Sequence, residues 1–219
     1  MIQAPRTKGE RTRARILDAA AELFARSGYN PVSLREIAAH AGMTHAGLLH
    51  HFPGKEQLLL EVLGRRDRED AALLFPGLMD GDPEHAEAAR GSVEERLRRV
   101  VAVIGRNSHT RGMVALYVQL AAEASDPEHP ARHYFTRRYQ ILRAEIAALL
   151  EELFAQSPPA TPADPHAVAQ QLLAVMDGMQ TQWLLEPEAA PMEQRVWEFL
   201  GAYGLSPSSA NQEHPHEWS

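Results

Sequence analysis

The sequence predicts an all-α fold, because three observations agree along its 219 residues. Apolar residues recur every three or four positions in each long segment, which is the period of an amphipathic helix. Ser, Thr, Gly and Pro stand where these segments begin and end. No segment alternates apolar and polar residues as a half-buried strand does.

The first helix is predicted over residues 13–27. Ile16, Leu23 and Phe24 form its apolar stripe together with two alanines. Gly28 follows directly and is a typical residue for a helix C-terminus. The basic residues before this helix, among them Arg6 and Arg11, are open to two interpretations, namely phosphate contacts or a flexible tail.

Two short helices with a tight turn between them follow. The second helix, residues 33–40, begins with a capping box formed by Ser33 and Glu36. Gly42 supplies the left-handed turn, and Thr44 caps a third helix over residues 44–51. This layout is typical of a helix-turn-helix, whose second short helix enters the major groove of DNA.

The rest of the chain also has helical periodicity. A fourth helix is predicted over residues 55–68, and a Gly-, Pro- and acid-rich loop over 76–91. Ser92 and Glu95 form another capping box. The further predicted helices cover residues 92–104, 113–124, 130–154, with Pro130 in the first turn, 166–185 and 191–203.

Charge is distributed unevenly between the two ends of the chain. The net charge is −7. Residues 1–60 hold eight basic and five acidic residues and carry +3, whereas the remainder, with fourteen against twenty-four, carries −10. A basic end on an acidic body suits a protein that presents one end to phosphates.

Composition excludes several classes of protein. The chain has no cysteine, which rules out disulfide scaffolds, thiolate zinc sites and cysteine nucleophiles. It has neither a signal-peptide apolar region nor a run of about 18 apolar residues. We therefore expect a cytoplasmic protein without a membrane partner.

Two stretches resemble the tetracycline-repressor (TetR) family: residues 33–44, SLREIAAHAGMT, and residues 47–59, GLLHHFPGKEQLL. The resemblance covers about the first 65 residues. Residues 176–184, MDGMQTQWL, are similar to a segment common in members of the family. Elsewhere the likeness lies in the helical layout alone.

The resemblance implies a homodimer that binds double-stranded operator DNA and a small-molecule effector, with no cofactor. Residues 1–54 would form a three-helix DNA-binding domain containing the helix-turn-helix. Residues 55–205 would form a helical ligand-binding and dimerisation domain, whose last two helices pair with those of the partner. Residues 206–219, which are polar with Pro and His, are expected to be a disordered tail.

The resemblance also implies DNA contacts at particular positions. Base contacts are expected from Arg35, His45, Ala46, Leu49 and His50, and phosphate contacts from Ser33, His51 and Lys55. Arginine can bind guanine with two hydrogen bonds, and small apolar side chains pack on a thymine methyl group. The chain departs from the family at Leu49, where tyrosine is usual, and at Gly47, where threonine is common.

Two sets of residues in the larger domain are candidates for contacts. Met and aromatic side chains with a few polar groups suit an apolar ligand, although the same residues also suit a plain core. The ligand candidates are Met113, Tyr117, Gln119, Leu120, Glu123, Tyr134, Met176, Met179, Gln180 and Trp183. The last two predicted helices have broad apolar faces, and the stripe over residues 168–183 suits either dimer packing or the core. The dimer candidates are Val168, Leu172, Val175, Val196, Leu200 and Tyr203.

Metal sites and catalytic motifs are not expected. The four histidines of the helix-turn-helix match no zinc spacing, and Pro130 places His129 of the pair His129 and His133 at a helix cap. No HExxH, GxSxG, P-loop or dinucleotide motif is present, which disfavours an enzyme.

The predicted function is therefore a ligand-responsive, sequence-specific repressor that acts as a homodimer on a palindromic operator. Two alternatives stay open: an activator with the same head, and a helical interaction module with a degenerate DNA-binding head.

Overall fold

A computed structural model describes residues 7–74, 91–189 and 191–207 of the chain. Within those ranges it is all-helical, as predicted, and has no strand. Its helices are α1 (Lys8–Ser27), α2 (Leu34–His40), α3 (His45–His51), α4 (Lys55–Leu74), α5 (Val93–Asn107), α6 (Arg111–Glu123), α7 (Arg132–Gln156), α8 (Pro165–Leu185) and α9 (Met192–Gly201). Residues 76–90 of the predicted loop over 76–91, most of the predicted tail and Arg6 lie outside the described residues.

Helix α1 begins five residues before the predicted start. Thr7 caps it, and its hydroxyl accepts a hydrogen bond from the Glu10 backbone at 3.1 Å while the Glu10 carboxylate reaches back to the Thr7 backbone. This reciprocal capping box stabilises a first turn that has no apolar stripe. Lys8, Arg11 and Arg13 are consequently helical, and the interpretation of this segment as a flexible tail is wrong for them.

The helix-turn-helix forms as the capping residues predict. The Ser33 hydroxyl accepts from the Glu36 backbone at 3.2 Å, and the Glu36 carboxylate accepts from the Ser33 backbone at 2.7 Å. Gly42 has a φ of 66°, a conformation that favours glycine. The Thr44 hydroxyl accepts from the Gly47 backbone at 3.1 Å and caps α3.

Several later helix ends differ from the prediction by a few residues. Helix α4 continues to Leu74 rather than ending near residue 68, because Arg65 and Arg66 form i,i+4 ion pairs with Glu69 and Asp70. Helix α7 begins at Arg132, after Pro130.

Helix α8 begins after a side-chain cap, and α9 ends earlier than predicted. The Asp164 carboxylate accepts from two backbone amides of α8, whose first residue is Pro165. Helix α9 is shorter than predicted, and its last residue is Gly201.

Two apolar clusters hold the helices together. The first is formed by α1, α2, α3 and the start of α4, but it also contains Leu116 and Leu120 of α6 and Phe135 of α7. The head formed by α1–α3 therefore shares its core with the body. The second cluster joins α5, α7, α8 and α9.

Close packing of α1 on α6 strengthens this junction. Gly112 lies so near α1 that an added Cβ would be 2.5 Å from the Ala25 carbonyl oxygen. Only glycine permits this backbone approach. No helix of the described ranges is long and apolar enough to cross a membrane.

Candidate nucleic-acid interface and ligand cavity

Helix α3 presents one buried and one exposed face. Leu48 is fully buried against the head core, which fixes the rotation of the helix. On the opposite side Ala46, Leu49 and His50 are exposed, and Leu49 keeps 38% of its surface open to solvent. An exposed leucine beside polar residues on a firmly anchored short helix is what a base-reading surface needs.

Other candidate base-contacting residues lie around this face. Arg35 is exposed on α2, and His45 is half-buried in the first turn of α3. Rings of His50 and His51 meet edge to face, with their centroids 5.6 Å apart. These side chains thus form a continuation of the exposed face of α3 rather than part of the core.

The candidate phosphate-contacting residues are partly engaged within the head. The Ser33 hydroxyl accepts a capping hydrogen bond, which leaves its proton for another acceptor. The Lys55 ammonium donates to the Asn30 carbonyl at 3.0 Å and lies 4.3 Å from the centre of the Tyr29 ring. Desolvation lowers the pKa of Lys55 from its ordinary value. His51 is half-buried.

Two of the histidines considered as metal ligands contact carboxylates instead. The His40 Nε2 lies 2.9 Å from the Glu22 carboxylate, and in the body His129 lies 3.5 Å from Glu123. In the part of the chain that the structure describes, no group of three or more His, Asp or Glu residues is arranged to hold a metal ion.

A cavity of about 170 Å³ lies between α4, α5, α6, α7 and α8. Aromatic, methionine and aliphatic side chains form much of its wall: Val103, Met113, Val114, Tyr117, Val118, Ala121, Phe135, Tyr139, Leu142, Leu173 and Met176. The other lining residues are polar or charged: Arg66, Asp70, Asn107, Arg138, Asp177, Gln180 and Thr181. This wall is more polar than the sequence predicts.

One charged cluster lies at the cavity on the side of α4. The Arg66 guanidinium donates to the Asn107 amide oxygen at 3.0 Å and lies 3.5 Å from the Asp70 carboxylate. Arg106 forms an ion pair with the same carboxylate. Since Asp70 is buried, these two arginines supply the charge that its burial requires.

A second polar network ties the cavity to α4. The Tyr117 hydroxyl donates to the Leu63 carbonyl at 2.9 Å and lies 3.1 Å from the Tyr134 hydroxyl. Tyr134 donates to the Asp67 carboxylate, with which Arg138 forms an ion pair. Burial raises the pKa of both tyrosines, so that they remain hydrogen-bond donors.

Asp177 lies on the α8 side of the cavity. Its carboxylate accepts a hydrogen bond from the Tyr139 hydroxyl at 2.7 Å. Burial raises the pKa of Asp177, and the Tyr139 hydrogen bond and the nearby Arg138 charge offset part of that rise. Burial likewise raises the pKa of Tyr139, which keeps its proton.

The structure brings four of the predicted ligand candidates together and leaves the others apart. Met113, Tyr117, Met176 and Gln180 line the cavity. The remaining candidates do not: Leu120 is buried in the first cluster, Tyr134 bonds Asp67, Gln119 and Glu123 bond each other, Met179 packs against the second cluster, and Trp183 stacks beneath Arg111.

Sequence reasoning missed the charged lining residues. Arg66 and Asp70 fall at the end of α4, and Asp70 lies beyond the predicted end of that helix. The i,i+4 spacing of these two residues was the available signal. Asp177 was not among the predicted ligand candidates, although a carboxylate on an otherwise apolar stripe is itself unusual.

The candidate dimer residues divide into two groups. Four of them, Val168, Leu172, Val196 and Leu200, are at most 2% exposed within the single chain and belong to its own second cluster. A partner subunit therefore has no access to these four. Val175 and Tyr203 are half-buried at the margin of that cluster and remain open to a partner.

Further apolar surface lies near these two residues. Leu185 at the end of α8 is 78% exposed, and Trp197 and Phe199 on α9 are half-buried. Phe199 also packs on Tyr203 with ring centroids 5.5 Å apart.

Comparison with known families gives two matches along the chain. Residues 16–62 match the family described as bacterial regulatory proteins, tetR family. Residues 93–203 match the family described as BetI-type transcriptional repressor, C-terminal. The first match covers the helix-turn-helix, and the second covers the helices that surround most of the cavity.

Curated relatives are similar to the chain over its first part. The HTH-type transcriptional regulator SrpR of Pseudomonas putida is 39% identical over 66 residues, which is 30% of this chain and 31% of the relative. The HTH-type transcriptional repressor KstR of Mycolicibacterium smegmatis is 31% identical over 94 residues, 43% of this chain and 42% of the relative. The chain thus matches less than half the length of either relative.

A solved structure is similar over nearly the whole chain. It is a transcriptional regulator from Saccharomonospora viridis in complex with choline, with a TM-score of 0.72 and 26% sequence identity. The alignment covers 87% of this chain and 96% of the other.

Proposed function

Because the chain belongs to the TetR family of bacterial transcriptional regulators, we propose that it is a ligand-responsive repressor that binds a palindromic operator as a homodimer. The observation that carries this proposal is the exposed face of α3, held outward by the buried Leu48 and flanked by Arg35. That face is the part of the molecule shaped to enter a major groove.

Sequence-specific binding would combine contacts to base edges with phosphate contacts from the positively charged head. Arg35 has the guanidinium geometry to bind a guanine edge, and Ala46 and Leu49 have the apolar surface to contact thymine methyl groups. Ser33 and Lys55 would hold the register through phosphates. For Lys55 this requires an exchange of the Asn30 carbonyl for a phosphate oxygen.

The response to a ligand would use the cavity and α4. Tyr117 and Arg138 line the cavity. Tyr117 donates a hydrogen bond to the Leu63 carbonyl of α4, and Arg138 forms an ion pair with Asp67 of the same helix. Helix α4 also contributes Leu58, Leu59 and Leu63 to the core of the head. A ligand that moves these two lining residues therefore shifts α4 relative to the head, provided that it binds the two positions of α4 with different affinity.

Dimerisation would use the exposed apolar margin of α8 and α9. Val175, Leu185, Trp197 and Tyr203 keep accessible surface in the single chain. With a two-fold axis at this margin, the same apolar patch on each subunit would pack against its copy on the partner. Two recognition helices related by that axis read half-sites about 34 Å apart, which is why we expect a palindrome.

Repression is supported by the names of similar proteins and by the expected exclusion of RNA polymerase from an occupied promoter. KstR is described as a repressor, and the family that matches residues 93–203 is that of a repressor. A dimer seated on an operator at a promoter excludes polymerase. The Saccharomonospora viridis neighbour holds choline, which supports a small ligand in the body of this chain as well.

The DNA-binding proposal is tested by fluorescence anisotropy with DNA from upstream of the chain's own gene. We expect affinity to fall steeply with salt and Arg35→Ala to weaken binding by at least about fivefold, since a bidentate base contact provides about 1–3 kcal/mol. The matched control is Arg143→Ala, which removes an exposed arginine of α7. Equal losses in the two variants, or no binding at low salt, would contradict the proposal.

The dimer and the sign of regulation need separate measurements. In sedimentation experiments we expect Leu185→Glu to shift the protein towards monomer, because it places a charge in the proposed interface. Ile141→Glu is the control, since Ile141 is also a large exposed apolar residue but lies on α7. A promoter fused to a reporter should be derepressed when the gene is deleted, whereas lower expression would indicate an activator.

A further inference from the structure

Asp177 is the carboxylate of the cavity wall that lacks a cationic partner. Asp70 is paired with Arg66 and Arg106, and Asp67, just behind the wall, is paired with Arg138. Among the described residues no Lys, Arg or His nitrogen lies within 4 Å of Asp177. Its one side-chain hydrogen bond comes from the neutral Tyr139 hydroxyl.

From this arrangement we propose that the cavity binds a compact protonated amine, whose N–H group donates to the free oxygen of Asp177. This inference rests on the proposed function, because it takes the cavity to be the effector site. It adds the chemical class of the ligand and the residue that selects it.

The donor pattern favours an amine over other ligands. Tyr139 donates to Oδ2 of Asp177, and no described side chain donates to Oδ1, which is left as a hydrogen-bond acceptor in the cavity wall. A protonated amine brings both a positive charge and N–H donors, and such charge-assisted hydrogen bonds are about twice as strong as neutral ones. An anionic ligand would meet Asp177 with like charge, while Arg66 and Arg138 already have carboxylate partners.

The rest of the wall suits the apolar part of such a ligand. Tyr117, Phe135 and Tyr139 supply aromatic surface, and Met113 and Met176 supply adaptable apolar surface. The volume of about 170 Å³ is close to the roughly 150 Å³ of an apolar cavity known to hold benzene. The ligand is therefore of the size of one ring with a short substituent.

A charge series of one-ring ligands tests the proposal on the full-length protein by isothermal titration calorimetry. Benzylamine is the proposed class, benzyl alcohol is its neutral analogue, benzoate its anionic analogue, and benzyltrimethylammonium has the charge without an N–H donor. We expect benzylamine to bind the most tightly. Asp177→Asn should weaken benzylamine binding by at least about tenfold and leave benzyl alcohol binding unchanged.

The matched control for that variant is Glu145→Gln, which neutralises an exposed carboxylate of α7 and should leave benzylamine binding unchanged. The proposal is overturned if benzoate or benzyltrimethylammonium binds as tightly as benzylamine, if Asp177→Asn retains benzylamine affinity, or if benzylamine shows no binding at millimolar concentration. Should circular dichroism show that Asp177→Asn does not fold, the order of the four ligands on the native protein decides.

Release of operator DNA is measured separately by anisotropy. Asp177-dependent amine binding without DNA release would uphold the ligand class and contradict the effector role assigned under the proposed function. DNA release by another ligand, with no amine binding, would contradict the proposed ligand class and uphold the proposed function.

Discussion

Replacing Gly112 with alanine tests whether the head and the body are held by direct backbone packing. Gly112 lies in the first turn of α6, where that helix meets Ala25 of α1. The alanine Cβ would be 2.5 Å from the Ala25 carbonyl oxygen and 2.9 Å from the Ala25 Cβ. Both distances are well below the 3.5–4.0 Å at which carbon atoms attract best.

The two helices must therefore separate by about 1 Å at this point. Overpacking of this kind costs about 1–3 kcal/mol, whereas exchange of glycine for alanine in a helix contributes about 1 kcal/mol of stability. The expected net loss in the free energy of unfolding is up to about 2 kcal/mol, which lowers Tm by up to about 8 °C in a chain of this length.

Thermal unfolding followed by circular dichroism measures this loss, and Gly64→Ala provides the comparison. A Cβ at Gly64 in α4 would meet only the end of the Arg68 side chain, at an ordinary 3.5 Å. Gly64→Ala should therefore raise Tm by about 2–4 °C through helix propensity alone. If Gly112→Ala is as stable as Gly64→Ala, the close approach of α1 and α6 does not govern how the head is seated.

Three further substitutions address the cap, the link to α4 and the reading face. Ser33→Ala removes the capping acceptor of α2 and should lower the free energy of unfolding by about 1 kcal/mol in urea titration; an unchanged value would mean that water replaces the cap. Tyr117→Phe removes the hydrogen bond to Leu63 and should cost about 1 kcal/mol by the same measurement, with a weaker response of DNA affinity to ligand. Leu49→Tyr restores the hydroxyl that is usual in the family and should tighten operator binding by about fivefold in anisotropy, as one net hydrogen bond of about 1 kcal/mol does; weaker binding would show that the operator is read through the apolar side chain.

The helix-turn-helix could be predicted from the sequence because its signals are local. Ser33 and Glu36 satisfy each other within one helical turn, and Gly42 adopts the positive φ that the turn requires. None of these features depends on a distant part of the chain. For the same reason the capping box of α5, formed by Ser92 and Glu95, is confirmed.

Helix ends were harder to predict where polar contacts rather than apolar periodicity extend a helix. The first turn of α1 is stabilised by Thr7 and Glu10 in a segment without buried residues, and the last turns of α4 are stabilised by ion pairs. Apolar periodicity reports which face of a helix is buried, and it does not report these contacts.

The cavity and the dimer candidates depend on tertiary packing. Asp177 on α8 meets Tyr139 on α7 across 38 residues of sequence, so that no local pattern links them. Val168 and Leu172 lie on a predicted apolar face that is indeed buried, but in the chain's own second cluster. An apolar stripe predicts burial without identifying what covers it.

The core that α1–α4 share with Leu116, Leu120 and Phe135 limits how such regulators can be recombined. A chimaera cut at residue 54, with this head grafted onto an unrelated sensor, would replace those three side chains by others of different shape. It would also need a residue as small as Gly112 opposite Ala25. Transplantation of operator specificity should therefore succeed more readily by substitution of the solvent-facing residues of α3, which lie outside this shared core, than by exchange of whole domains.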